Sequence, residues 1–478
     1  MNSFNASRRK FVAAAAGIST IAARTGATGG NAFALSLGSL GALAAHNSAH
    51  ADDGTGYKAL VCLYMHGGND SHNWVVPVDA DGYAEYAAAR SSIALARSGL
   101  QPIGLKTSQG SGREFGMPSA LAPLRSLYDA GEAAIVANVG TLVRPTTKAQ
   151  FVAGAGLPAK LFSHNDQMST WQSLSPEGAR SGWGGRMGDL FASGNAHPVF
   201  TAISASGNAV FLAGNSTTPY EVSVDGAVKV KSLDYKAPMA SMTAGASLRR
   251  LLTDPGSGRI QAEYSRIVQR SMDTYSSMAS ALASTPAIPI PRTAISAGSG
   301  PASTLDQDGL AQQLQIVGRI IMAQSALGMR RQVFMVSIGG FDTHANQLRY
   351  HPALMQRVAG AIDYFTRAMR MAGLSDNVTL FTASDFGRAL RSNGSGCDHG
   401  WGSHHFVVGG AVKGGNIYGR MPQTAFGTED EVGSGRLLPG ISVTQYAATL
   451  GRWMGLSSSD LATVLPGLEN FAAGPAFI

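Results

Sequence analysis

The chain has 478 residues, 44% of them hydrophobic and only 14% charged, with 59 glycines. Its formal charge is +7, but Arg8, Arg9, Lys10 and Arg24 lie in the first 51 residues, which hold no Asp or Glu, so the rest carries +3 (7 − 4). That balance, with no Lys/Arg run beyond residue 51, excludes a basic nucleic-acid-binding surface, and two cysteines exclude a disulfide scaffold.

In chain order, the first feature is Ser7-Arg8-Arg9-Lys10-Phe11-Val12 followed by AAAAGISTIAA. Paired arginines before a modest apolar stretch predict a twin-arginine export signal, and with it the twin-arginine machinery as a partner and a periplasmic or secreted location. The apolar stretch is too short and too rich in Ala and Gly for a permanent membrane span. Ala49-His50-Ala51 offers a small-x-small cleavage site, so the leader is expected to cover 1–51.

Predicted strands follow at Lys58–Met65, Ala133–Val139, Val199–Ile203, Val210–Ala213, Val333–Ile338, Val378–Ala383 and Phe406–Val412. Most are continuous apolar runs, the pattern of strands buried on both faces of a parallel or mixed sheet. Between them lie predicted helices at Ala80–Ala96, Pro118–Ala130, Gly258–Ala283, Leu305–Leu327, Pro352–Ala372 and Val443–Trp453. The alternation predicts an α/β sandwich over residues 52–478, a mostly parallel central sheet with helices on both faces. Residues 198–247 read as a small β-rich insertion or cap, and 284–303 as a Pro/Ser/Gly-rich loop.

Chemistry-bearing residues gather beside these runs. KALVCLYM leads into His66, Asp70 and His72; QVFMVSI leads into Asp342 and His344; VTLFTA leads into Ser384-Asp385. A Gly-rich polar loop then carries Asp398, His399, His404 and His405, and a weaker fourth segment, LFSHNDQMSTWQ, carries Ser163, His164 and Asp166. Such strand ends are where open α/β sheets keep their sites. Mixed carboxylate and imidazole donors suit a divalent metal such as zinc, calcium or magnesium. His404 and His405 are adjacent and, if extended, point to opposite faces, so one of them is expected to serve the site. Trp74, Trp171, Trp183 and Trp401 lie near these motifs, either as a sugar-stacking surface or as ordinary core. Cys62, in a strand, and Cys397, beside the loop, are either bridged or free.

HGGNDSHNWVVP, GGFDTH, SDFGR and DHGWGSHHFVVGGAVKGG together resemble the bacterial family known as domain of unknown function 1501, grouped with the alkaline phosphatase and sulfatase superfamily. The resemblance covers nearly all of the chain after the leader. It implies an alkaline phosphatase-like three-layer sandwich and metal ligands at strand ends. On that resemblance the ligand set is Asp70, Asp342, His344, Asp385, Asp398, His399 and His404. It also implies a hydroxyl nucleophile at a helix N-terminus. Ser163 fits best and is equally a helix N-cap; Thr147 and Ser71 are weaker candidates. Arg388 could hold a substrate oxyanion or pair with a local acid. The chain departs from the superfamily in having Phe386 where a histidine is expected, and it lacks the Cys/Ser-x-Pro-x-Arg signature of formylglycine sulfatases. Two functions follow: a metal-dependent hydrolase of phosphate or sulfate esters, acting on small molecules or glycans, or a non-catalytic exported binding protein that keeps the fold.

Overall fold

The computed structural model describes residues 56–228, 242–296, 298 and 303–478. The leader and parts of the segments 198–247 and 284–303 lie outside the described residues.

Among the described residues the central sheet has ten strands. In chain order they are β1 (Lys58–Met65), β2 (Ala133–Gly140), β3 (Ala202–Ser204), β4 (Tyr220–Ser223), β5 (Gly226–Ala227), β6 (Arg331–Ile338), β7 (Val378–Ser384), β8 (Ser403–Val408), β9 (Ile417–Tyr418) and β10 (Ile441–Ser442). Their spatial order is β9-β2-β8-β7-β1-β6-β3-β4-β5, with β10 also pairing with β2. β1 lies parallel to both β6 and β7, with Lys58 opposite Arg331 and Met65 opposite both Ile338 and Ser384. Among these described strands, β8 and β5 run against the rest. The C-terminal ends of β1, β6 and β7 therefore share one edge, where the chain entering β8 also arrives.

The continuous apolar runs are explained by cover on both faces. Along β1, Ala59, Val61, Leu63 and Met65 pack with the helices Gly309–Met322 and Gln347–Met371. The alternate residues Leu60, Cys62 and Tyr64 pack on the other face, against Trp171 and the helix Val443–Met454. Val61, Leu63, Met65 and Leu60 each contribute about 1.5–3 kcal/mol of burial free energy. Local signals fix the helix starts: the Asp308 carboxylate accepts from the amides of Leu310 and Ala311, and Ser442 forms a capping box with Gln445. The α/β sandwich expected from the sequence is thus present. Among the described residues no helix is long and apolar enough to cross a membrane.

Several expectations change. The strands of 198–228 do not form a separate cap; β3, β4 and β5 extend the edge of the main sheet, and Val210–Leu212 is a 3-10 turn. The expected loop around residue 398 is partly a hairpin, Arg388–Ser392 against Cys397–His399. β8 begins at Ser403, so His404 and His405 are strand residues. The four tryptophans are all buried core, which removes the stacking-surface alternative. Cys62 and Cys397 are both free and buried.

Candidate metal centre

Tight turns bring the strand ends together. After β1 the chain turns through Gly67 and Gly68, both at positive φ (112° and 82°), a region that favours glycine. A Cβ on Gly67 would also stand 2.4 Å from the Asp342 amide nitrogen. The Ser384 hydroxyl donates to the Met65 carbonyl (2.6 Å) and accepts from the Asn69 amide (2.9 Å), tying β7 to β1. The Gly67 amide donates to Asp385 Oδ2 (3.1 Å).

Around this junction Asp342 is the hub. One oxygen, Oδ1, accepts from Arg388 Nη1 (2.6 Å) and faces Nε2 of His344 (3.1 Å) and of His399 (3.3 Å). The other, Oδ2, faces His164 Nε2 (3.5 Å). On the far side of each ring, Nδ1 has an oxygen partner. His164 Nδ1 lies 2.7 Å from Asp385, His344 Nδ1 lies 3.3 Å from Asp398, and His399 Nδ1 lies 2.7 Å from the Phe162 carbonyl. Each ring is thus held between oxygens, with Nδ1 on an acceptor behind it and Nε2 turned toward Asp342. Nε2 of His344 and Nε2 of His399 stand 2.9 Å apart. Imidazole nitrogens gathered on one carboxylate, each ring held from behind by an oxygen, form a donor set that could hold a metal ion. Among the described residues, ligand atoms of His164, Asp342 and His399 all lie within 4.8 Å of one another.

Electrostatics agree with the geometry. Burial alone would raise the Asp342 pKa, but the hydrogen bond and charge of Arg388 hold it below the usual carboxylate range. The hydrogen bond to Asp385 raises the His164 pKa, while burial lowers that of His399. The Asp342 side chain is 45% exposed, so the cluster opens to solvent.

The expected site residues divide. Asp342, His344, Asp385, Asp398 and His399 come together. Asp70 does not: it is fully buried, bound by the guanidinium of Arg90 and the amide of Gln347. A neighbouring guanidinium therefore supplies its countercharge. His404 stands apart as well, buried in β8 with Nδ1 accepting from the Asn138 amide (3.0 Å), and His405 packs on Trp171 with ring centroids 4.7 Å apart. Neither of the pair serves the cluster, contrary to expectation. Arg388 is fully buried and committed to Asp342 and the Cys397 carbonyl, so it positions the hub and does not face a substrate. Ser163 precedes the helix His164–Ser173, but its hydroxyl makes no cap bond; it donates to Asp166 (2.9 Å). Thr147 is the capping residue of its own short helix, and Ser71 is buried, accepting from the His404 amide.

His164 was not in the expected ligand set, because it opens a helix and does not follow a strand. Its segment did carry a signal, a histidine flanked by Ser and Asp. The ring lies on Phe386 (centroids 4.9 Å apart), and His399 lies against the same phenyl ring (4.5 Å). Phe386, where a histidine was expected, is thus an apolar prop for two imidazoles that come from elsewhere in the chain. Arg436 was also missed; it donates to the His399 carbonyl (3.2 Å) and stacks over Phe162.

Buried histidines outside the cluster give a pH prediction. Burial lowers the pKa of His72 and His351 to about 4 and that of His405 to about 3. In the unfolded chain each titrates near ~6.5. Between those values the unfolded state binds more protons, so stability rises with pH and is lost as pH falls from ~6.5 toward 4. The limiting slope is about 1.4 kcal/mol per pH unit per histidine. Urea midpoints measured from pH 7 to 4.5 should fall steadily; constant midpoints would contradict the buried neutral assignment.

No curated protein matches the sequence. Among solved structures, the chain is similar to the PsFucS1 sulfatase from Pseudoalteromonas sp., with 9% identity over 88% of this chain and 72% of that one and a TM-score of 0.32. It is similar to a 2-O GAG sulfatase at 10% identity, over 87% and 76% of the two chains, with a TM-score of 0.29. Overlaps this loose transfer no residue roles and no substrate. The family model described as protein of unknown function DUF1501 matches residues 57–465, from the first strand through the last helices and across every residue of the cluster, and the chain belongs to that family.

Proposed function

We propose that this protein is an exported, metal-dependent hydrolase of phosphate or sulfate esters. The observation that carries the reading is the convergence of three imidazole Nε2 atoms on the Asp342 carboxylate, each ring oriented by an oxygen on its far side. His164, His344, His399 and Asp342 would hold one ion. A donor set of three nitrogens and one carboxylate fits zinc better than calcium or magnesium, which take oxygen ligands. The ion would polarise an ester oxygen and stabilise the charge that develops there. One ion suffices, since Arg90 already neutralises Asp70.

The chain's own groups do the rest. The Ser163 hydroxyl, bonded to Asp166, is paired with a proton acceptor as an attacking group needs to be. It sits at the N-terminus of the helix His164–Ser173, where partial positive charge favours an anion. Arg436 and the exposed Lys160, 3.8 Å from Asp166, add positive charge near the cluster. Ser163→Ala is expected to cut turnover of an aryl phosphate or sulfate by ~100-fold or more with metal content unchanged, the scale of an assisted proton transfer. Full activity in Ser163→Asp, which cannot supply a serine hydroxyl, would remove Ser163 from the mechanism.

Export rests on the Arg8-Arg9 leader. Replacing both arginines with Lys should leave the chain unprocessed in the cytoplasm; normal processing of that variant would refute the route.

A further inference from the structure

The helix His164–Ser173 faces two ways. Its first residue joins the cluster. Asn165, Met168, Ser169 and Gln172, spaced to share one helical face, line a cavity of about 390 Å3. The facing walls are Met335 and Ser337 from β6, and Ser206 and Asn208 from the turn after β3. His66, which follows β1 and feels the charge of Asp385, lines it too. Asp385 in turn bonds His164. The cavity and the cluster are therefore neighbours joined through one helix and one carboxylate. The volume is that of a small-ligand site.

The wall chemistry selects what fits. Amides and hydroxyls dominate, groups that both donate and accept, as sugar hydroxyls do. Among the described residues no lysine or arginine lines the cavity, and the one carboxylate is Glu177, which accepts from Asn165 Nδ2 at 3.4 Å. A second anionic group on the substrate would meet that carboxylate without a cation to offset it. Met168 and Met335 offer apolar contact to the faces of a ring.

Resting on the hydrolase reading above, we propose that this cavity receives an uncharged, hydroxyl-rich part of the substrate, a neutral sugar ring, while the ester group sits at the cluster. The test is binding of unesterified probes. The methyl glycosides of glucose, galactose, mannose and fucose, and those of glucuronic and galacturonic acid, are titrated by saturation-transfer NMR into chelator-treated and zinc-supplemented full-length protein. At least one neutral glycoside should bind, and the uronic acid forms should bind at least tenfold more weakly. Asn208→Trp, at an exposed position that does not threaten folding, should weaken the neutral glycoside at least tenfold. Glu177→Gln should narrow the gap between neutral and acidic probes. Absence of binding by all four neutral glycosides, equal or tighter binding of the uronic acids, or unchanged affinity in Asn208→Trp would overturn the proposal. These probes carry no ester, so their binding is read independently of metal. Failure of metal-dependent turnover would strike the hydrolase reading alone.

Discussion

Asp342→Asn is expected to abolish metal binding at the cluster. The carboxylate faces His164, His344 and His399 at 3.1–3.5 Å and is fixed by Arg388 at 2.6 Å. Asn keeps the shape and one acceptor for Arg388 but removes the charge that a cation would meet. Groups that only orient a ligand typically cost 10–100-fold in metal affinity when replaced, so loss of the central carboxylate should exceed ~100-fold. Asp398→Asn supplies the comparison. Asp398 touches His344 from behind and is 60% exposed, so its removal should stay within about 10–100-fold. Competition against a chromophoric chelator ranks the two. Equal small losses, or a larger loss at Asp398, would mean that Asp342 is not the hub.

The largest stability effect should come from Asp70→Ala. Asp70 and Arg90 are both fully buried, and Arg90 also donates to the carbonyls of Ala389 and Leu390, which hold the hairpin that leads to His399. Burial alone would raise the Asp70 pKa, but Arg90 and its neighbours hold it low, so the pair is ionic. Removing one partner leaves an uncompensated buried charge and costs about 3–5 kcal/mol, a large part of an ordinary stability of about 5–15 kcal/mol. Protein that remains folded should keep its metal. Asp70→Ala combined with Arg90→Met should recover part of the loss, since the stranded charge is then gone. A metal-free but fully stable Asp70→Ala would instead restore Asp70 as a ligand.

These contrasts show what the sequence carried. β1, β6 and β7 were legible almost to the residue, because a strand buried on both faces is a continuous apolar run with few other readings. Helix ends blurred where 3-10 turns begin or follow them, as at Ser91–Ile93 and Leu305–Gln307. The short pairings escaped, since two- and three-residue strands have no periodicity to read. Asp342, Asp385 and His399 could be found from local pattern, as could the segment that carries His164. The separation of Asp70 from the cluster could not. Its partner Arg90 arrives 20 residues later at the end of the helix Ala80–Arg90, and nothing local announces that pairing. His404 and His405 misled for a related reason: imidazoles beside glycines look like ligands until the strand that buries them is known.

The metal content of the purified protein tests the central claim most directly. Elemental analysis should find one divalent ion per chain, zinc above others. A chelator should remove it along with aryl phosphate or sulfate turnover, added zinc should restore both, and Asp342→Asn should lack both. Protein that stays metal-free after zinc supplementation, or that keeps its ion in Asp342→Asn, would contradict the account.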